Sequence, residues 1–184
     1  MSTPNVTYGF IGKSKNSRLF HTEYFLIRDI YVLGLGQMGH GMVKNLRQKI
    51  PERSLLVIYD INKAVTENFV AEHAKGNNVR IAASPKEVAE IAVSILSHVR
   101  FVTCLMTELY VQDVVLTSVP QARHVRDVFL NPETGLLASE SKPGRKILFL
   151  ELSTIEVATS LEIAEKVEAG GYGEFVDAPC SVSI

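Results

Sequence analysis

Gly34, Gly36 and Gly39, spaced G-x-G-x-x-G within LGLGQMGHGMVKNL (33–46), leave few folds open to this chain. An apolar run, Ile30 to Leu33, leads into them and a helical pattern follows, so the local order is strand, tight turn, helix. The first glycine permits the turn, the second lets the backbone approach a pyrophosphate, and the third lets helix and strand pack closely. The free N–H groups and the positive dipole end of the helix suit phosphates. A plain glycine-rich turn would share this spacing, and the context bears on the choice. SLLVIY (54–59) reads as a second strand ending at Asp60, 21 residues beyond Gly39. That is close to the ~20 expected of an acid that accepts from ribose hydroxyls. The other reading of Asp60 is a turn or helix-capping residue.

Periodicity extends the pattern. The spacing predicts a helix over 38–49, with Met42, Val43, Leu46 and Ile50 inward and Pro51 as its stop. A helix over 62–74 and a short strand over 79–82 follow. Ser84, Pro85 and Glu87 mark another helix start, as N-cap, N1 and N3. The apolar stretch after that start, to Gln112, suits either a long buried helix or a helix and a strand. Residues 113–119 read as a buried strand, 121–130 as a helix, 146–152 as a strand and 174–176 as a last strand. Between the last two, Ser153 with Glu156 would open a helix with Val157, Leu161, Ala164 and Val167 or Glu168 inward, ended by Gly170-Gly171. This alternation predicts an α/β fold of Rossmann type, a doubly wound parallel sheet with its ligand at the carboxyl ends of the strands. The 184 residues are expected to form a single dinucleotide-binding domain.

Composition excludes several classes. A net charge of −1 gives no reason to expect nucleic acid or an anionic membrane as partner. Two cysteines, Cys104 and Cys180, are too few for a disulfide framework. The most apolar region, 91–119, is broken by His98, Arg100, Glu108, Gln112 and Asp113, short of the ~18 clean residues of a membrane span. The first ten residues, MSTPNVTYGF, resemble neither a presequence nor a signal peptide, so a cytoplasmic protein is expected. No His/Cys/Asp grouping has metal-ligand spacing, so no metal site is expected, and His40 and His124 read as surface or packing residues.

Four separated stretches resemble one family. GLGQMGHGMVKNL resembles the fingerprint G-L-G-x-M-G-x-x-M-x-x-N-L of the β-hydroxyacid dehydrogenases. That family includes 3-hydroxyisobutyrate dehydrogenase, tartronate semialdehyde reductase and the NADP-binding domain of 6-phosphogluconate dehydrogenase. DVVLTSVPQARHVRDVFL is similar to its D-V-V-I-T-M-L-P segment, ELSTIEVATS to D-x-S-T-I-x-P-x-T-S, and FVDAPCS to F-x-D-A-P-V-S-G-G. Glu151 stands where the family has Asp, and Val157 where it has Pro.

The resemblance implies roles. Gly34, Gly36, Gln37, Met38 and Gly39 would hold the pyrophosphate, and Asp60 the adenosine ribose. Val119 and Pro120 would lie along the nicotinamide ribose. Thr154 would lie near the nicotinamide with Ser153, which would also meet substrate, and Ser181 would begin the substrate loop. Each has a plainer alternative: a helix cap for Ser153, a strand stop for Pro120, an ordinary loop position for Ser181. An acid at Asp60 repels a 2′-phosphate, which favours NAD over NADP, with Lys63 softening the discrimination. The implied activity is an NAD(P)-dependent oxidoreductase acting on the CH–OH group of a small 3-hydroxy acid. The family's general acid/base lysine, in a G-x-x-G-x-x-x-K-x-x-N segment, and its all-helical second domain have no counterpart in these 184 residues. No catalytic residue is therefore assigned. The alternative is a non-catalytic dinucleotide-binding module.

Two interruptions break the resemblance. Without 13–34 the text reads TYGFIG-LGQMGHGMVKNL, and without 93–112 it reads KEVAEIA-DVVLTSVP, both as the family has them. Val93-Ser94-Ile95 and Val182-Ser183-Ile184 repeat one triplet, and GTA-AGY-ATH encodes it with a splice-donor start. Translation through retained introns is the expectation, against lineage-specific loop insertions, and TCN codons at Ser94 and Ser183 would contradict it. On this reading, 29–33 serves as the first strand, 6–11 is displaced to an edge or a loose arm, and 93–112 extends a helix in part and protrudes.

Overall fold

The apolar run before the glycines becomes the centre of the sheet. The computed structural model describes residues 25–50, 54–74, 78–99, 110–139 and 147–180. Strand β1 (Phe25–Leu33) is followed by α1 (Gln37–Lys49), β2 (Leu56–Tyr59), α2 (Lys63–His73), β3 (Val79–Ile81) and α3 (Pro85–Val99). Then come β4 (Tyr110–Thr117), α4 (Ala122–Leu130), a 3₁₀ turn at Leu136–Ala138, β5 (Ile147–Glu151), α5 (Val157–Gly170) and β6 (Gly173–Asp177). The six strands are parallel in the order β3-β2-β1-β4-β5-β6. This is the expected α/β Rossmann-type sheet, and its order reverses between β1 and β4.

The period-2 alternation of β1 sends its side chains to two cores. Ile30 and Val32 join Leu56 and Ile58 under Val43 of α1 and Phe69 of α2. Tyr31 and Leu33 join Val57, Val115, Ile147 and Phe149 beneath α3, α4 and α5. Right-handed crossovers explain the division: chain moving outward from β1 to β3 covers one face, and chain moving from β4 to β6 covers the other.

Several local expectations are corrected. Strand β4 begins at Tyr110 rather than Asp113, so the last residues of 93–112 lengthen a central strand instead of protruding. They pair with the first residues of β1: Phe25 with Tyr110, Leu26 with Val111, Ile27 with Gln112. The register then shifts, and Ile30 pairs with Val114, a bulge that places Asp29 and Asp113 inside the sheet. Asp29 accepts from the Leu55 N–H at 3.0 Å. At its other end the segment does continue α3, through Val99. Residues 6–11 and 100–109 lie outside the described residues.

Helix α5 starts at Val157, not Ser153, and its inward residues are Thr159, Ser160, Ile163 and Val167. Val157 and Leu161, expected inside, are 73% and 59% exposed. The inward face is offset from the one the apolar residues suggested, shared only at Val167, and two hydroxyl side chains, Thr159 and Ser160, take core positions. Gly171 closes the helix in the left-handed conformation, at φ 69°. The start of α3 is as read from sequence. Ser84 Oγ accepts from the Glu87 N–H at 3.1 Å, while the Glu87 carboxylate accepts from the Ala83 N–H at 2.7 Å and from Arg80 at 2.8 Å.

Candidate dinucleotide site

At the carboxyl ends of β1 and β4, each glycine of the turn does a different job. Gly34 has φ 93°, which L side chains rarely adopt, and a Cβ there would stand 2.1 Å from the Ser118 carbonyl oxygen. A Cβ on Gly39 would stand 1.8 Å from the Gly34 carbonyl oxygen, so helix and turn meet backbone to backbone. A Cβ on Gly36 would meet nothing within 4 Å. The middle glycine is therefore the open one, as a backbone kept clear for a ligand requires. Gly36 is also the N-cap of α1, with no side-chain cap and no acid in the first turn. The opening N–H groups and the positive end of the helix dipole remain available to an anion. Gln37 and Met38 are exposed at this end, and Gly39 is buried beneath it.

Asp60 closes the turn from the side. Its Oδ2 accepts from the Leu35 N–H at 2.7 Å and its Oδ1 from the Asn62 N–H at 2.8 Å. Asn62 in turn caps α2 by accepting from the Ala64 N–H at 3.2 Å. The turn role considered for Asp60 is thus real. It leaves room for the ribose role, because an ionised carboxylate offers about four acceptor positions.

The other side of the crevice is built from a buried network. Glu151, at the end of β5, is fully buried. Its Oε1 accepts from the Ser153 N–H at 2.8 Å and its Oε2 from the Thr117 hydroxyl. Ser153 Oγ then accepts from the Val119 N–H at 2.7 Å. Burial pushes the Glu151 carboxyl above the ordinary carboxylate range, the hydrogen bonds from Ser153 and Thr117 oppose it, and Asp177 adds a smaller upward push. Backbone bonds close the same end: Ser118 N–H to Leu33, Leu152 N–H to Thr117, and Ala178 N–H to Glu151. Ser153 is therefore not the cap of α5, whose N-cap is Glu156 without a side-chain bond. Its hydroxyl holds the β4 loop.

The fold brings Gly34, Gly36, Gln37, Met38, Gly39, Val119, Pro120, Ser153 and Thr154 to the carboxyl ends of the strands, with Asp60 at the end of β2. Pro120 and Thr154 are exposed, Val119 is half-buried and Ser153 is buried. Ser181 lies outside the described residues. Glu151 was missed as a functional position, although an acid ending the apolar strand KILFLEL was a usable signal. A second grouping was not legible at all: His40 of α1 meets Glu72 and His73 of α2. Among the described residues no helix is long and apolar enough to cross a membrane.

A family model described as the NAD binding domain of 6-phosphogluconate dehydrogenase matches residues 29–183. No curated protein matches the chain. Among solved structures, a conserved hypothetical protein from Sinorhizobium meliloti 1021 is similar, with a TM-score of 0.52 and 18% identity. The match covers 83% of this chain and 41% of that one, and at this identity the likeness is one of fold. This chain thus corresponds to about two-fifths of that protein's length.

Proposed function

Because the chain belongs to the family of the NAD-binding domain of 6-phosphogluconate dehydrogenase, we propose that it is the cofactor half of an oxidoreductase acting on the CH–OH group of a small 3-hydroxy acid. The 3-hydroxyisobutyrate dehydrogenase type is the nearest reading, from the four motif stretches. The observation that carries the cofactor assignment is the open approach at Gly36 over the uncapped start of α1, with Asp60 beside it.

Gly36, Gln37, Met38 and Gly39 hold the pyrophosphate through backbone N–H groups, and Gly34, whose own N–H donates to the Tyr59 carbonyl, gives the turn its path to it. Asp60 accepts from the adenosine ribose and disfavours a 2′-phosphate, so the cofactor is NAD rather than NADP. Bound there, the nicotinamide supplies hydride transfer. Val119 and Pro120 border its ribose, and Ser153 and Thr154 face its ring and the substrate. Glu151 fixes that side, because one carboxylate sets both the Ser153 backbone and, through the Ser153 hydroxyl, the Val119 N–H. Ser181 opens the substrate loop.

Proton transfer from the substrate hydroxyl needs a positioned acid/base group. No stretch of these residues resembles the segment that carries the family's lysine. The dinucleotide half alone binds cofactor and turns over no hydroxy acid. Isothermal titration of the chain with NAD and with NADP, before and after Asp60→Asn, tests the cofactor reading. NAD should bind at least about tenfold more tightly, and the substitution should narrow that ratio. Equal affinities in the parent chain would overturn the NAD assignment. Dehydrogenase assay with 3-hydroxyisobutyrate tests the rest: turnover by this chain alone would refute the division of labour.

A further inference from the structure

On the face of the sheet covered by α1 and α2, away from the β4 and β5 loops, three metal-ligating side chains converge. His40 lies in the first turns of α1, and Glu72 and His73 end α2. One ligand atom from each can be chosen so that all lie within 4.8 Å of one another. His73 Nε2 stands 3.5 Å from Glu72 Oε2. A tetrahedral ion with bonds of about 2.0–2.1 Å spaces its ligands roughly 3.3 Å apart, so the His73–Glu72 pair already has that spacing. Glu72, 64% exposed, is free to rotate and close the remaining gap.

Two further observations point to a ligand. His73 Nε2 is buried and makes no hydrogen bond among the described residues, with the Glu72 carboxylate as its nearest charged neighbour and the side chain 21% exposed. Both imidazoles are also held by one core residue. Phe69, fully buried, meets the His40 ring edge-on at a centroid distance of 5.6 Å and the His73 ring at 4.9 Å. The two histidine rings are 6.0 Å apart. Ligand rings fixed by packing lose little freedom on binding, which favours affinity. His73 and Glu72 also sit at the negative end of the α2 dipole, which attracts a cation, while His40 near the positive end of α1 works against it.

We propose that His40, Glu72 and His73 form a three-ligand site for a divalent transition-metal ion of the Zn²⁺ class, with water completing the coordination. Two imidazoles and one carboxylate select such an ion over Mg²⁺ or Ca²⁺, which prefer all-oxygen ligands. The bound ion pins α2 to α1 just beyond the glycine turn, since the His40 N–H already donates to the Gly36 carbonyl. The site is separate from the dinucleotide reading and stands or falls by itself.

The test is titration of the untagged chain with ZnSO₄, followed by heat of binding and by melting temperature, with MgCl₂ as control. One Zn²⁺ per chain and a rise in melting temperature are expected, with no response to Mg²⁺. Glu72→Gln, at an exposed position, should keep the metal-free melting temperature and weaken Zn²⁺ by about tenfold. His40→Gln and His73→Gln should abolish the melting shift, while His124→Gln and Cys180→Ser should leave it intact. With Co²⁺ the parent chain should give the visible absorption of a tetrahedral site, lost in His73→Gln. Absence of binding by the parent chain, or Zn²⁺ affinity unchanged in both Glu72→Gln and His73→Gln, would overturn the proposal.

Discussion

The two walls of the crevice between β1 and β4 are built by opposite means. The wall at Gly34–Gly39 is made of backbone and empty space: two glycines where nothing larger fits, and a third where nothing touches it. The wall at Thr117, Glu151 and Ser153 is made of side chains, one buried carboxylate holding two strands and a loop. On the proposed function, the first wall meets the phosphates that every nicotinamide dinucleotide carries. On the same reading, the second borders the nicotinamide and the substrate. A wall of backbone tolerates no added atoms at its packed positions. A wall of side chains tolerates any replacement that keeps its hydrogen bonds.

The largest effect should come from breaking the backbone wall. Gly39→Ala places a methyl against the Gly34 carbonyl, and Gly34→Ala combines left-handed strain with a clash on Ser118. Each should cost roughly 3 kcal/mol or more, read as a lower urea midpoint. A loss under about 0.5 kcal/mol in either would show that the turn is slack.

The side-chain wall should respond by chemistry rather than by size. Glu151→Ala leaves the Ser153 N–H and the Thr117 hydroxyl without their acceptor and opens a void, for a loss of about 2–3 kcal/mol. Glu151→Gln keeps an acceptor for Ser153 and can donate to Thr117 Oγ1, so at pH 7 it should stay within about 1 kcal/mol of the parent. The pH dependence separates the two states of the acid. Burial raises the folded-state pKa of Glu151, so the folded chain keeps a proton that the unfolded chain has released. That contribution is fully present below the unfolded carboxylate range and is lost as pH rises through the raised value. Stability of Glu151→Gln relative to the parent should therefore improve with rising pH over that window. A flat difference would mean that the carboxylate is not desolvated.

The two walls also differ in how far they could be read from sequence. The glycine turn is local: three residues within six positions fix its geometry, and the spacing to Asp60 follows from one strand–helix–strand unit. The side-chain wall joins positions 34 residues apart, which no periodicity links. Ser153 with Glu156 looked like a capping box because the spacing alone was seen. The hydroxyl is engaged instead by the Val119 N–H, and α5 starts later. The parallel, doubly wound character of the sheet was legible from strand–helix alternation. The entry of Tyr110–Gln112 into β4 was not, because their partners are residues 25–27, far away in sequence. His40 and Glu72-His73 likewise meet only through the packing of α1 on α2.

The smallest effect is expected away from both walls. Leu161 points outward from α5, so Leu161→Gln should change stability by less than about 0.5 kcal/mol. A loss above about 2 kcal/mol would mean that this face of α5 is covered in solution.

The contrast between packed and open glycines puts the central claim on Gly36. Its φ of −59° is negative and a Cβ there meets nothing within 4 Å, so Gly36→Val should still fold, at the modest cost of replacing a favourable N-cap residue. The valine side chain would occupy the approach to the α1 N–H groups. NAD titrated into the parent and Gly36→Val chains, with melting temperatures in parallel, should show binding weakened by more than about tenfold while Gly36→Val still melts cooperatively, well above the titration temperature. NAD affinity equal in the two folded chains would contradict a pyrophosphate site at this turn.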